Sequence, residues 1–276
     1  MTETWRGAPE PHHARTPVAG WVRVVLRGVP LATLVFGCLA ILLVVRLLER
    51  PFFGERRPIT PHITQFVCRN AFRILGIGYA LVGEPLKGAG AVVANHSSWL
   101  DIFALNAAKR IYFVAKSEVA GWPGIGWLAR ATGTVFIRRD RREASNQIEV
   151  FRQRLAAGHK LLFFPEGTST DGLQVLPFKP TLFAAFFDPA LKDDLMMQAV
   201  TVNYFAPSDE DPRFYGWWGD MEFAPHLRSS LAARRQGKVE VVYHPPVKVA
   251  DFADRKTLAK AMEDQVRGGL AQHRSA

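Results

Sequence analysis

Cysteine is nearly absent from this chain of 276 residues. Cys38 and Cys68 stand far apart in apolar contexts, so neither a disulfide framework nor a CxxC metal or redox site can be assembled, and a reducing compartment suits the protein. No GxSxG elbow occurs, and Ser97 and Ser98 directly follow His96, which argues against a serine hydrolase working through an acyl-enzyme. HExxH is missing, and His12, His13, His62, His159, His226, His244 and His273 are dispersed without ligand spacing, so no metal is expected. Gly124-Ile125-Gly126-Trp127-Leu128-Ala129 meets a relaxed dinucleotide fingerprint, but it follows a Trp-Pro break and lacks the downstream acid, so it reads as helix-start packing. Acidic residues are also outnumbered, 25 against 35 Lys and Arg, and the balance of +10 favours anionic partners such as phospholipid headgroups, acidic cofactors or nucleic acid.

The chain is 48% hydrophobic, enough to bury one core of ordinary size. Residues 1–27 carry prolines, paired histidines and scattered arginines without apolar periodicity, and read as a flexible polar tail. Gly28 to Val45 holds no charge, and with Leu47 and Leu48 the apolar run reaches the roughly 20 residues that cross a hydrocarbon core. A cleaved signal peptide is the competing reading. The long preceding tail and the Arg46-Leu47-Leu48-Glu49-Arg50 sequence, unlike a small-residue cleavage site, favour a retained anchor. Arginines flank both ends, so charge asymmetry gives no orientation and permits a segment that dips into one leaflet. Next, Phe66, Val67, Ala71, Ile74 and Leu75 recur at helical spacing with Arg69 and Arg73 between them, predicting an amphipathic interfacial helix over 63–75.

Beyond Gly83, short apolar runs alternate with helical stretches. This predicts an α/β domain over residues 83–276, a mostly parallel central sheet flanked by helices, preceded by the membrane helix and interfacial helix of residues 28–82. Strands are expected at 91–94, 111–115, 134–137, 160–164, 197–203 and 239–243, and helices at 99–108, 122–132, 141–157, 178–187 and 255–272.

The first of these strands runs into Asn95-His96-Ser97-Ser98-Trp99-Leu100-Asp101. With His96 in the loop and Asp101 in the opening turns of a helix, the carboxylate can accept the imidazole Nδ1 hydrogen and leave Nε2 free to take a proton. Such a pair deprotonates an alcohol attacking a carbonyl. Ser97 or Ser98 would cap the helix. A structural histidine beside a second helix-capping acid fits the same residues, so the pair needs company. It has company at Phe163-Phe164-Pro165-Glu166-Gly167-Thr168, which ends another strong strand and so falls on the carboxyl edge where open α/β sheets place their sites. A Glu-Gly-Thr turn offers a carboxylate, backbone N–H groups and a hydroxyl, with the glycine permitting close approach.

Together these residues resemble the glycerolipid acyltransferase family that includes the 1-acylglycerol-3-phosphate acyltransferases. The His96 to Asp101 segment is similar to the family's HxxxxD motif, Gly133-Thr134-Val135-Phe136-Ile137-Arg138-Arg139 to its second motif and Phe164-Pro165-Glu166-Gly167-Thr168 to its third; Ala199-Val200-Thr201-Val202 occupies the place of the fourth. The resemblance implies that His96, oriented by Asp101, deprotonates an acceptor hydroxyl that attacks the thioester of acyl-ACP or acyl-CoA directly. It implies Arg138, with Arg139 as a possible sharer, for an anionic headgroup, and Glu166, Gly167 and Thr168 for positioning the acceptor. No bound cofactor or metal is implied; the partners are a membrane lipid acceptor, the acyl carrier and the bilayer, with no nucleic acid. The first acceptor implied is 1-acyl-sn-glycerol-3-phosphate, giving phosphatidic acid.

Two departures open the question of the acceptor. Where many of these enzymes place an arginine after the Glu-Gly-Thr block, this chain has Ser169-Thr170-Asp171-Gly172, and the fourth block lacks its proline. Lyso-ornithine lipid, with an amino acid headgroup, is therefore a rival acceptor. The aromatic run Phe214-Tyr215-Gly216-Trp217-Trp218-Gly219-Asp220 suits either a membrane interface, an acyl-channel wall or core packing; Asp220 reads as a solvated carboxylate. A basic membrane-tethered lipid-binding protein without catalysis would explain the charge and the anchor, but not the motif series. Because acyl-ACP and acyl-CoA are cytosolic, the expected location is the inner membrane with the catalytic domain facing the cytoplasm.

Overall fold

The computed structural model describes residues 4–11, 16–122, 124–137 and 144–274. Its frame is an eight-stranded mixed sheet. The strands in chain order are β1 (Gly78–Val82), β2 (Gly90–Ala94), β3 (Tyr112–Lys116), β4 (Val135–Ile137), β5 (Lys160–Phe163), β6 (Met196–Phe205), β7 (Lys238–Tyr243) and β8 (Val247–Lys248). They lie in the order β1-β7-β6-β2-β5-β3-β4, with β8 beside β6. The run β6-β2-β5-β3-β4 is parallel, while β7 and β8 pair antiparallel to β6 and β1 runs with β7. The ends of β2, β5 and β4 therefore open on one carboxyl edge, where the three sequence blocks were expected to meet.

The sheet is covered on both faces, as period-two alternation requires of a buried parallel sheet. On one face Val92, Ala94, Val200, Val202 and Val241 join Phe72, Leu75, Leu100 and Leu105. These come from α2 (Thr60–Leu75) and α3 (Asp101–Ala108), the former extending through Leu75 and the latter opening beside Leu100. On the other, Ala91, Val93, Leu161, Phe163, Met197 and Ala199 meet Phe183, Phe186, Leu258, Met262 and Val266, the last three from α8 (Arg255–Arg274). The expected α-helix at 178–187 is instead a 3-10 helix over Pro180–Phe187. Three residues per turn stack positions three apart, which brings Phe183 and Phe186 down on the same ring of Phe163. Two strands escaped the sequence reading: β1 is a short, largely exposed edge strand bounded by glycines, and β8 is only two residues long. The sheet thus begins at Gly78, ahead of the boundary expected at residue 83. Helix α7 (Phe223–Ala232) was also missed, its pattern broken by Pro225 and a serine pair.

Helix α1 spans Val18–Phe53 and starts well before the charge-free run that announced it. At 1.5 Å per residue its 36 residues extend roughly 54 Å, far beyond the roughly 30 Å of a hydrocarbon core. By length and composition it could cross a membrane, yet one stripe rests on the domain from end to end, meeting α7, α2 and α4 (Ile125–Thr132) in turn. Leu31 and the partly buried Val24 and Val35 join the core. Every exposed position from Val18 to Leu48 is uncharged, and Arg23, Arg27, Arg46 and Glu49 all turn inward. Glu49 is 3% exposed; its carboxylate accepts from Ile59 N, at 2.6 Å, and from Thr60 N and Oγ1, capping the start of α2. Residues 4–11 also depart from the expected loose tail. Trp5 meets Trp218 edge to face, Trp218 Nε1 donates to Ala8 O and Glu10 accepts from Asp220 N.

Much of the positive charge has internal work. Arg23 donates to Ala232 O and Arg27 to Leu231 O and Ala233 O at the end of α7. Arg57 donates to Ala131 O near the end of α4, and Arg69 to Ala107 O at the end of α3. Each cation meets the unsatisfied carbonyls and negative pole of a helix C-terminus, an arrangement worth about 0.3–1 kcal/mol when exposed and more when partly buried.

Cys38 and Cys68 are both free, and burial pushes the Cys68 thiol up to about 12, leaving it an inert core group. His159 is buried against the Tyr112 ring, 3.9 Å between centroids, close to Arg154. Burial first, then the Arg154 charge, lowers its pKa to about 4. The unfolded chain then binds a proton near pH 6.5 that the folded chain refuses, so stability is complete above that range and is lost as pH falls toward 4. The urea midpoint should therefore drop between pH 7 and pH 5, and His159→Phe, which keeps the stacked ring, should flatten that drop; an unchanged slope in the variant would remove His159 as its cause.

Candidate active site

Strand β2 delivers His96 to the carboxyl edge of the sheet. Asn95, the first residue past the strand, continues the pairing with its side chain: Oδ1 accepts from Val202 N at 2.8 Å and Nδ2 donates to Val202 O at 3.0 Å. The main chain is thereby free to turn while still anchored to β6. From Ala91 to Asp101 every residue is buried except His96, whose side chain is 22% exposed. One imidazole reaches the surface from an otherwise closed loop.

Its partner is in place. Asp101 opens α3, is fully buried, and its Oδ2 lies 2.7 Å from His96 Nδ1. The carboxylate accepts only, so Nδ1 carries the hydrogen and Nε2 presents its lone pair. Asp101 Oδ2 also accepts from Ser97 N at 2.9 Å and Ser98 N at 3.0 Å, and Oδ1 accepts from the Tyr204 hydroxyl at 2.8 Å. This reverses the capping expected of the serines. Ser98 Oγ receives only Leu100 N, and Asp101 gathers the loop's N–H groups itself. With four donors on one carboxylate, neither the aspartate nor the ring it holds can turn without breaking charge-assisted bonds.

The Glu-Gly-Thr loop after β5 grips the same histidine. Glu166, 1% exposed, accepts from His96 N and from Leu176 N, each at 2.7 Å, while Thr170 N donates to His96 O at 3.0 Å. The His96 peptide is thus held at both its N–H and its C=O by one loop. Phe164 stacks on the imidazole, 4.1 Å between centroids and 13° between planes. A third segment closes in from the far side: Trp217 N donates to Ser97 O at 2.7 Å, and Trp218 and Tyr215 are buried at 2% and 1% exposure. Of the readings open for this aromatic run, core packing beneath the loop is the one these two residues adopt. Gly172, at φ +78, lies where a Cβ would stand 3.1 Å from Ser97 Cβ, so the Ser169–Gly172 stretch is itself packed on the histidine loop.

His96, Asp101 and Glu166 therefore converge. Gly167 (φ +77) and Thr168 are partly exposed on the rim, and Thr168 Oγ1 accepts from Trp5 N at 3.3 Å. Arg138 and Arg139 lie outside the described residues; strand β4, which precedes them, ends on the same edge. Tyr204 and Thr170 were not singled out from sequence. Neither carries a local signal: Tyr204 follows Gln198, Thr201 and Asn203 as one more polar-tipped residue of β6, and Thr170 looks like any polar loop residue. Burial pushes the Glu166 carboxyl up to about 8, and the nearby Asp101 charge adds to it, against the pull of its two backbone N–H donors. Among the described residues no group of three or more His, Cys, Asp or Glu side chains could hold a metal ion.

Comparison with known proteins gives this geometry a family. The sequence model described as Acyltransferase matches residues 82–202, a span that holds His96, Asp101 and Glu166. A lyso-ornithine lipid O-acyltransferase of Rhodobacter capsulatus is 58% identical over 268 residues, covering 97% of each chain. The chain belongs to the acyltransferase family. A 1-acyl-sn-glycerol-3-phosphate acyltransferase of Neisseria gonorrhoeae is 40% identical over 207 residues, 74% of this acyltransferase and 78% of that one. The crystal structure of the 1-acyl-sn-glycerophosphate (LPA) acyltransferase PlsC from Thermotoga maritima matches with a TM-score of 0.67 over 93% of this chain and 96% of that chain, at 22% identity, and so speaks for the fold.

Two substitutions probe the clamp on this acyltransferase's histidine. Tyr204→Phe removes one donor from a buried carboxylate, a loss of about 1–3 kcal/mol, and should lower kcat about tenfold while far-UV circular dichroism stays unchanged. Glu166→Gln sets an amide NH2 against a backbone N–H; it should lower Tm by several degrees and cut kcat further than Tyr204→Phe does. Full activity in both variants would mean that the ring needs neither support.

Proposed function

We propose that this acyltransferase transfers a fatty acyl group from the thioester of acyl-ACP or acyl-CoA to the free hydroxyl of lyso-ornithine lipid, giving ornithine lipid. His96 Nε2 takes the hydroxyl proton as the oxygen attacks the thioester carbonyl. The new C–O bond forms, the tetrahedral intermediate collapses with cleavage of the C–S bond, and the imidazolium returns the proton to the departing sulfur. Asp101 holds the tautomer throughout. Glu166 and Thr170 act as positioning residues, since their hydrogen bonds are spent on the His96 peptide. The rim residues Gly167 and Thr168, with Arg138, are the ones left to meet the acceptor.

The observation that carries the choice of acceptor is the 58% identity, end to end, with a lyso-ornithine lipid O-acyltransferase. It moves 1-acyl-sn-glycerol-3-phosphate, the first acceptor the motifs implied, to second place. The sequence departure agrees: where an arginine was looked for, Asp171 is buried and accepts from Leu173 N at 3.0 Å, and Thr170 holds His96. The Ser169–Gly172 stretch itself carries no cation for a phosphate monoester.

We also propose how the enzyme sits. The uncharged outer stripe of α1, lying along the domain rather than standing away from it, suits a helix embedded in one leaflet, with the acceptor reaching His96 from that leaflet. The acyl carriers are cytosolic, which sets the domain on the cytoplasmic face.

Labelled acyl-ACP and acyl-CoA should be offered in detergent with lyso-ornithine lipid or 1-acyl-sn-glycerol-3-phosphate, and the products separated by chromatography. The expected result is labelled ornithine lipid, reduced at least about 100-fold by His96→Ala. Product from the phosphate acceptor alone would overturn the acceptor, and transfer undiminished by His96→Ala would overturn the mechanism.

A further inference from the structure

A pocket rimmed by arginines lies away from His96. It encloses about 540 Å³ between the C-terminal part of α1, the turn that follows it and α4. Arg46, Arg50, Arg57 and Arg130 line it with Glu55 as the single acid, and Leu39, Leu43 and Trp127 complete the wall. Its floor is the end of α4, just before β4 begins, so it faces the amino edge of the parallel strands whereas His96 stands on the carboxyl edge. It contains none of the site residues.

The arginines are built in rather than left over. Arg57 has φ 46, the one non-glycine residue with positive φ among the described residues. Left-handed backbone at a long side chain costs of order 1 kcal/mol, and such strain concentrates where a side chain must be aimed. Its guanidinium is held by a hydrogen bond to Ala131 O at 2.9 Å and packs against Gly133, whose own φ of +86 favours glycine. Even so, Arg57 Nε and Arg46 Nη1 are buried without a hydrogen-bond partner. The Arg46 guanidinium meets Glu49 and Glu55 only at 3.6 and 3.7 Å, and Glu55 is shared with Arg154. A pocket lined by four arginines against one acid, with guanidinium N–H groups left over in the wall behind it, suits an anion with several oxygens.

The walls say which anion. Leu39 and Leu43 belong to the apolar run of α1, Leu47 and Leu48 beside them are 75% and 65% exposed, and Trp127 on α4 is 67% exposed. A soluble anion would have no use for this border, whereas a lipid needs both a phosphate seat and a greasy track leading from it. We propose that this cavity binds the phosphate of an anionic membrane phospholipid whose acyl chains lie along the exposed stripe of α1, a seat that fixes the enzyme's depth and tilt in the leaflet. The proposal requires α1 to lie in a bilayer but not any particular acceptor or donor.

The full-length protein in neutral detergent should be unfolded thermally with added phosphatidylglycerol, phosphatidylcholine or inorganic phosphate. Phosphatidylglycerol should raise Tm by about 3 °C or more, and the other two should not. Arg50→Gln with Arg130→Gln should abolish that shift while leaving transfer to detergent-dispersed acceptor unchanged, and His96→Ala should retain it, so a failed transfer assay does not touch this result. Equal shifts with phosphatidylcholine, an equal shift with free phosphate, or a shift that survives the double substitution would each overturn the lipid seat. Should the double variant fold poorly, native mass spectrometry decides: wild type should retain phosphatidylglycerol, Arg130→Gln alone should lose it, and a wild type without adduct overturns the proposal.

Discussion

The hold on the His96 peptide is the constraint on which the rest of the site depends. Glu166 receives its N–H and Thr170 N donates to its carbonyl, so the loop after β2 and the loop after β5 behave as one unit. The parallel pairing of β2 with β5 makes this possible by ending both strands side by side on one edge. Asp101 can then be spent on the ring, because the main chain that carries the ring is already fixed. A general base gains from such preorganisation, since a ring that need not be reoriented during proton transfer adds nothing to the barrier.

Burial makes the clamp strong and also explains its cost. Asp101 and Glu166 are both desolvated, and each stays acceptable only because its oxygens are met by donors. Around them the aromatic segment from Phe214 to Trp218 and the turn at Gly172 exclude water from all of the loop except the imidazole. The edge of His96 is then the part of that loop that solvent reaches.

The basic character of the chain divides into two uses. Arg23, Arg27, Arg57 and Arg69 bind helix-terminal carbonyls and tie α1 and its neighbour to the domain. Arg46, Arg50 and Arg130 gather with Arg57 around a pocket at the C-terminal part of α1. Counting charges from the sequence could indicate an anionic partner but could not separate these uses, because an arginine that caps a helix and one that lines a pocket look alike in one dimension.

The sequence by itself determined the α/β class, six of the eight strands, the long apolar helix and the His96–Asp101 pair, because alternation of apolar residues and a five-residue spacing at a strand end are local properties of the chain. It placed Glu166 in the site but not its task, which is settled by a hydrogen bond across 70 residues of sequence. The stripe of α1 that rests on the domain, the 3-10 form of Pro180–Phe187, the seating of residues 4–11 and the role of Tyr204 were likewise decided by tertiary structure alone. Each depends on which surfaces meet once the sheet has brought distant segments together, and no local pattern records that meeting.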